Sequence, residues 1–194
     1  MMKNLLEQIT LLECFGFLFS VAQVFLAKNN NPKNYLFGIG GIILTLLVMF
    51  RSKLYAEFTL NLYYLVMSIY GWLYWKYGKE RKEIQITSAT RIDWIIAIAI
   101  VCGSFFMFFL GLRNFTDSDV PFLDAIVSAF AWAGMWLMAK RKLENWIFLN
   151  ISNIISIPLM FHKQLYLYGI LSIILFTVAV LGYFNWKKIM LENK

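Results

Sequence analysis

Seven stretches of this chain are apolar for long enough to cross a lipid bilayer as helices. They run from Ile9 to Ala27, Tyr35 to Phe50, Leu54 to Trp75, Trp94 to Leu112, Phe122 to Ala139, Leu143 to Phe161 and Leu165 to Trp186. About 20 consecutive apolar residues span the hydrocarbon, and in lipid a helix satisfies all of its own backbone hydrogen bonds. Composition agrees: 60% of the 194 residues are hydrophobic and 15% charged. A soluble fold of this length has too little interior to hide that much apolar surface. The expected fold is therefore an all-α membrane protein of seven transmembrane helices. The second span is short and carries Gly38, Gly40 and Gly41, which fits close packing on a neighbour.

The net charge of +7 reads as topology rather than as a nucleic-acid partner, because the basic residues sit in short loops. Lys3, Arg51, Lys53, Arg113 and Lys163 fall on one side. Lys28, Lys33, Lys76, Lys79, Arg81, Lys82, Arg91, Lys140, Arg141, Lys142, Lys187, Lys188 and Lys194 fall on the other, a division of 5 against 13 of the 18 basic residues. The positive-inside rule then puts the N-terminus outside and the C-terminus in the cytoplasm, which an odd number of spans requires. Glu7 and Glu13 interrupt the first apolar stretch, unlike a cleaved signal. Cys14 and Cys102 lie inside apolar runs and suggest packing, not a disulfide or redox centre.

Similar segments recur at a constant offset of 111 residues. Gly71-Trp72-Leu73-Tyr74-Trp75-Lys76 returns as Gly182-Tyr183-Phe184-Asn185-Trp186-Lys187. Met49-Phe50-Arg51 with Leu54-Tyr55 returns as Met160-Phe161-His162 with Leu165-Tyr166, and Asn34-Tyr35-Leu36-Phe37 as Asn145-Trp146-Ile147-Phe148. The chain thus divides into repeat one (9–76), a linker helix (92–113) and repeat two (121–187). Three spans end on the opposite face, so a fourth must return the chain before a parallel copy can begin. Parallel repeats are a transporter architecture, with substrate held between the halves near the midplane; duplication that merely builds a scaffold is the alternative.

Polar side chains within spans are costly and face a cavity or a partner helix. Asn61, Tyr64, Ser68 and Trp72 share one face of span three, and Asp124, Ser128 and Trp132 one face of span five. Trp146, Asn150 and Asn153 form a stripe on span six beside Ser152 and Ser156, while span one offers Glu13 and Gln23. Indole faces stack on a flat ring and attract a positive one, and amides serve hydroxyls or a carboxamide. The stripe would suit a heteroaromatic solute; the plainer reading is hydrogen bonding between helices. Asp124, in the first turn beyond Pro121, also reads as a helix-dipole partner. His162 has no metal-ligand companion, and no phosphate loop or nucleophile elbow is present. No catalytic residue, metal or cofactor is expected.

At Met67-Ser68-Ile69-Tyr70-Gly71-Trp72 with Trp75, at Ala139-Lys140-Arg141-Lys142-Leu143-Glu144-Asn145-Trp146, and at Gly182-Tyr183 with Trp186, the chain resembles the PnuC family of bacterial vitamin transporters. The resemblance covers nearly the whole chain. It implies a SWEET-like fold with a full three-plus-one-plus-three protomer, a homotrimer, and facilitated diffusion across the inner membrane, with a cytoplasmic kinase trapping the solute. Nicotinamide riboside is the usual solute and thiamine the alternative; a non-transporting receptor or scaffold is the rival class. The family's span-six signature, Trp, two residues, Trp, three residues, Asn or Asp, is matched by Trp146 and Asn153 but has Leu149 at its second Trp. Met135 stands where many riboside carriers have Gln in span five.

Overall fold

The structure, a computed structural model, describes residues 2–51, 55–78, 84–116 and 118–192, with side chains from residue 11 onward except at 48, 49, 51 and 55–60. Leu54, Lys53, Lys79, Arg81, Lys82 and Lys194 lie outside the described residues. Seven helices follow one another: α1 (Met2–Lys28), α2 (Asn34–Arg51), α3 (Tyr55–Tyr77), α4 (Arg91–Phe115), α5 (Pro121–Ala139), α6 (Asn145–His162) and α7 (Tyr166–Glu192). Most expected ends fall within a few residues of these; α1 begins earlier than Ile9 and α7 continues past Trp186. Among the described residues, four helices are apolar and long enough to cross a membrane by length and composition: Leu11–Lys28, Arg91–Phe115, Pro121–Ala139 and Tyr166–Glu192. α2 has a shorter apolar stretch, Asn34–Leu47. α6 is diluted by its asparagines and serines, the stripe on which the candidate site was read.

Local chemistry fixes the helix ends. Thr90 and Asp93 form a reciprocal capping box at the start of α4, satisfying two otherwise orphaned amides, and Pro121 opens α5 where no amide partner is needed. α1, α5 and α6 end alike, with Asn30, Arg141 and Gln164 at φ 55°, 56° and 60°. In each case the next amide reaches back to a carbonyl of the last turn: Asn31 to Leu26, Lys142 to Leu137 and Leu165 to Met160, all at 2.9 Å. This is the left-handed helix stop usually given to glycine.

α1 packs against α2 and α7, α2 against α3, α3 against α5, α5 against α6, and α6 against α7, while α4 packs mainly on α5. Exchanging α1, α2 and α3 with α5, α6 and α7 maps every one of these pairs except α4–α5 onto another. The atomic contacts exchange in the same way under a shift of 111 residues. Trp75 Nε1 donates to Met138 and Ala139 carbonyls at 3.1 and 3.2 Å, and Trp186 Nε1 donates to the Ala27 carbonyl at 2.9 Å. Tyr35 lies against Gly71, and Trp146 against Gly182. The Phe19–Phe37 rings are 5.8 Å apart and the Phe130–Phe148 rings 5.9 Å.

One end of the bundle is dense with aromatic rings. Tyr35, Trp75, Trp146 and Trp186 are almost wholly buried there with Ala27, Met138 and Leu143. Trp186 sits 5.6 Å from Trp75 and 5.4 Å from Trp146, ring to ring. Elsewhere α4 turns Ile92, Ile95, Ile98, Phe106 and Leu110 outward, the surface a lipid-facing helix presents.

Candidate functional site

The span-six stripe begins inside this aromatic end. Trp146 is wholly buried, edge-on to Trp186, and its ring fits only because position 182 is glycine: a Cβ there would stand 2.8 Å from Cε2 and Cζ2. One turn on, Asn150 joins Trp146, Ile147, Val180, Tyr183 and Phe184 around a small groove between α6 and α7. Trp146 Nε1 and Asn150 Oδ1 are buried without a hydrogen-bond partner. Buried polar atoms are nearly always satisfied, because an unmade bond costs about 1–3 kcal/mol. Asn153 is half-buried further along, with no hydrogen-bond partner among the described residues. Leu149, in place of the family's second Trp, packs against Gly134 of α5.

A second group forms where α3 meets α5. Trp132 stacks on Tyr63 with ring centres 3.9 Å apart and takes Phe108 edge-on at 4.7 Å. Tyr63 donates its hydroxyl to the Trp132 carbonyl at 3.1 Å. Trp132 Nε1 and, on α3, Ser68 Oγ are also buried without partners. Tyr64 stands edge-on to Tyr63 at 6.1 Å, and Ser128 is half-buried on α5. Trp72 packs partly against the aromatic core, with Lys76 Nζ 5.4 Å from its ring. Asn61 lies apart, lining a cavity between α1, α2, α3 and α7. Of the nine candidates, Trp146 and Asn150 share the α6–α7 groove, Trp132 and Tyr64 both meet Tyr63, Asn61 borders the separate cavity and Trp72 reaches the aromatic core; Ser68 is buried on α3, and Ser128 and Asn153 are half-buried on α5 and α6.

Several residues that organise this region were not singled out from sequence. Tyr63, the stacking partner of Trp132, falls off the Asn61–Ser68 face of α3, so helical spacing does not mark it. Arg141 is buried, its guanidinium 4.5 Å from the Trp75 ring centre. It donates through Nε to Asn30 Oδ1 at 3.0 Å and through Nη1 to the Ile84 carbonyl, so the two left-handed residues, 111 apart, hold each other. Residues 84–90 run extended beside it: Thr87 and Lys142 form a parallel bridge, and Glu144 Oε2 accepts from the Ala89 amide at 2.7 Å. Lys142 Nζ reaches Asp93 at 3.1 Å. The Arg141-to-Trp146 block thus ties the interhelical segment across the aromatic end. Hydrogen bonding to Tyr70 holds the neighbouring Lys140 ammonium above the ordinary lysine pKa, with burial opposing.

At the opposite end Asp124 is more than a helix-dipole partner. Lys163 Nζ sits 2.7 and 2.6 Å from its two oxygens, and Ser118 donates to it at 2.7 Å. His162 pairs with Asp119 at 3.0 Å on the surface. Among the described residues no group of three or more His, Cys, Asp or Glu could hold a metal.

This architecture is found in known proteins. A crystal structure described as the vitamin B3 transporter PnuC superposes with a TM-score of 0.75 over 95% of this chain and 84% of that one, at 22% identity. The nicotinamide riboside transporter PnuC of Escherichia coli K12 is 23% identical over 90% of this chain and 84% of its own length. That of Neisseria mucosa is 28% identical over 86% of this chain and 68% of its own. The model of the nicotinamide mononucleotide transporter family matches residues 10–188. A match over that span, on seven helices in this order, means that the chain belongs to the nicotinamide mononucleotide transporter (PnuC) family of multi-pass membrane transporters.

Proposed function

We propose that this protein takes up nicotinamide riboside across the bacterial inner membrane by facilitated diffusion, with a cytoplasmic kinase trapping the solute by phosphorylation. One observation carries the reading. Of seven buried side-chain polar atoms without partners among the described residues, four, on Ser68, Trp132, Trp146 and Asn150, lie at candidate positions on α3, α5 and α6. Such atoms favour a solute that hydrogen-bonds and stacks. Asn153 and Asn150 would bind its polar substituents from α6, with Ser68 and Tyr64 meeting it from α3; Trp146, wholly buried against Trp186 and Gly182, would have to turn out of that packing to stack on the pyridinium ring. Rocking of the halves 9–76 and 121–187 would alternate access, a motion supported by contacts that exchange between them. The 5-to-13 division of basic residues supports an external N-terminus, and the family resemblance supports a homotrimer.

The family description names the mononucleotide, while both curated relatives are named for the riboside. A phosphate would call for Lys or Arg in the pocket, and the described residues around the groove and the cavity include neither. Thiamine is the second reading, favoured by Leu149 and Met135 where riboside carriers differ. Purified protein in liposomes tests the proposal. Saturable riboside flux with countertransport supports it, thiamine flux alone moves the assignment to the second reading, and no saturable flux of either leaves a receptor or scaffold.

A further inference from the structure

The cavity between α1, α2, α3 and α7 meets the candidate residues only at Asn61. Its volume is about 310 Å³, at the small end of the range for small-molecule sites. Glu13 and Gln23 of α1 and Tyr168 of α7 line it with the rings of Phe17 and Phe37, and among the described residues no Lys, Arg or His does. Glu13 lies inside the apolar window Leu11–Lys28, where a bare carboxylate is expensive. Among the described residues no cation is paired with it.

The corresponding place 111 residues later is closed. Glu13 corresponds to Asp124, which Lys163 neutralises at 2.6 Å. Gly16 and Gly41 correspond to Val127 and Ser152, where the Ser152 hydroxyl bonds the Val127 carbonyl at 2.8 Å and draws α5 to α6. Thr45 and Asn61 correspond to Ser156 and Ser172, joined at 3.1 Å. Among these pairs only Gln23 and Gly134 pack alike, Gln23 filling the space over Gly38 as Leu149 fills that over Gly134. One half is packed and neutral at this depth; the other keeps a cavity around a carboxylate that no cation pairs with among the described residues.

The geometry points to the Glu13 cavity as a binding place for the positively charged ring of the solute, with Glu13 as counter-ion and the phenylalanine rings as its faces. A bare metal cation fits poorly: the space is far larger than an ion, and hard cations gather six or more oxygens. A flat organic cation suits a single carboxylate beside aromatic faces. The cavity lies about four helical turns along α1 from the Asn30–Arg141 tie, far from the aromatic end. It would receive the solute before the unpaired polar atoms of α3, α5 and α6 do.

The inference rests on the cationic-solute reading, and the test separates the two. Full-length purified protein is titrated calorimetrically with nicotinamide riboside, a cation, and with its uncharged dihydro form, alongside thiamine. The wild type is expected to favour the riboside cation roughly tenfold or more over the dihydro form. Glu13→Gln should weaken only the cation and erase the preference. Gly16→Leu, placed where a Cβ meets nothing within 4 Å, should fill the cavity and weaken both riboside forms while remaining folded. A folded Glu13→Gln protein that keeps the preference overturns the inference and leaves the substrate reading standing. If Glu13→Gln does not fold, Gly16→Leu decides: wild-type binding in that variant overturns the inference. A wild type that binds neither cation overturns both.

Discussion

The contact between Trp146 and position 182 gives a sharp test of how the candidate stripe is built. A Cβ at Gly182 would lie 2.8, 2.8 and 2.9 Å from Cε2, Cζ2 and Cη2 of Trp146, whereas carbon atoms rest about 3.5–4.0 Å apart. The obstacle is a rigid ring, wholly buried against Trp186, so it cannot swing aside as the end of a flexible chain would. Gly182→Ala must push the indole or the helix by about 0.7 Å or more to restore contact distance. Overpacking of this kind costs about 1–3 kcal/mol, less the roughly 1 kcal/mol that alanine regains over glycine in a helix. Gly103→Ala and Gly111→Ala are the controls, since a Cβ at either meets nothing within 4 Å; they should be neutral or slightly stabilising. Thermal unfolding in detergent, followed by tryptophan fluorescence, reads the difference. Riboside titration should show weaker binding in Gly182→Ala, because the displaced ring is the one assigned to stack. Trp146→Phe removes the clashing atoms, so the double variant should recover about 1 kcal/mol or more of the expected sum. A Gly182→Ala protein as stable as Gly103→Ala, with unchanged binding, would refute the packing argument.

Other outcomes follow from the same contacts. Arg141→Lys should destabilise by about 1.5–3 kcal/mol, because a lysine cannot both lie over Trp75 and reach Asn30 and Ile84; chemical unfolding measures it. Glu144→Ala removes the acceptor for the Ala89 amide, so hydrogen exchange across residues 84–90 should accelerate roughly tenfold, as loss of about 1.4 kcal/mol of local protection requires. Asn150→Ala and Asn153→Ala should each lower riboside affinity by roughly tenfold at unchanged thermal stability, since neither side chain has a protein partner to lose; unchanged affinity in both would remove the stripe from the pocket.

The helices and their order were legible because lipid imposes a simple demand: every backbone polar group is satisfied within the segment, so a run of apolar residues is itself the fold signal. The 111-residue register was legible for the same residues that carry contacts between helices. Gly71 and Gly182 face Tyr35 and Trp146, while Trp75 and Trp186 cap the facing carbonyls. Residues that must be a particular size or donate at a particular place leave a mark in sequence that lipid-facing positions do not. What stayed illegible depends on which helices are neighbours. Tyr63 and Tyr64 look equivalent until α3 is set against α5 and the stacking on Trp132 falls to Tyr63. Arg141 reads as one more loop cation for the positive-inside count, yet it is buried on Trp75, an arrangement only the approach of α1 and α5 creates.

The candidate site shows the same limit from the other direction. Helical spacing grouped Asn61, Tyr64, Ser68 and Trp72 on one face of α3, and that face is real. It is long enough, however, to run past different neighbours along its length. Asn61 borders the Glu13 cavity, Ser68 is buried near the middle of the helix, and Trp72 reaches the aromatic end. Three turns of one face cannot all touch one small solute at once, because Asn61 and Trp72 are about 16 Å apart along the axis. If solute moves along such a face, the residues are better understood as successive contacts than as a single pocket. Asn61→Ala should then alter entry from the Glu13 side, while Ser68→Ala alters affinity at the centre. Stopped-flow binding separates them: the first should slow association, and the second should speed dissociation. Equal effects of both variants on dissociation alone would argue for one compact pocket and against a path.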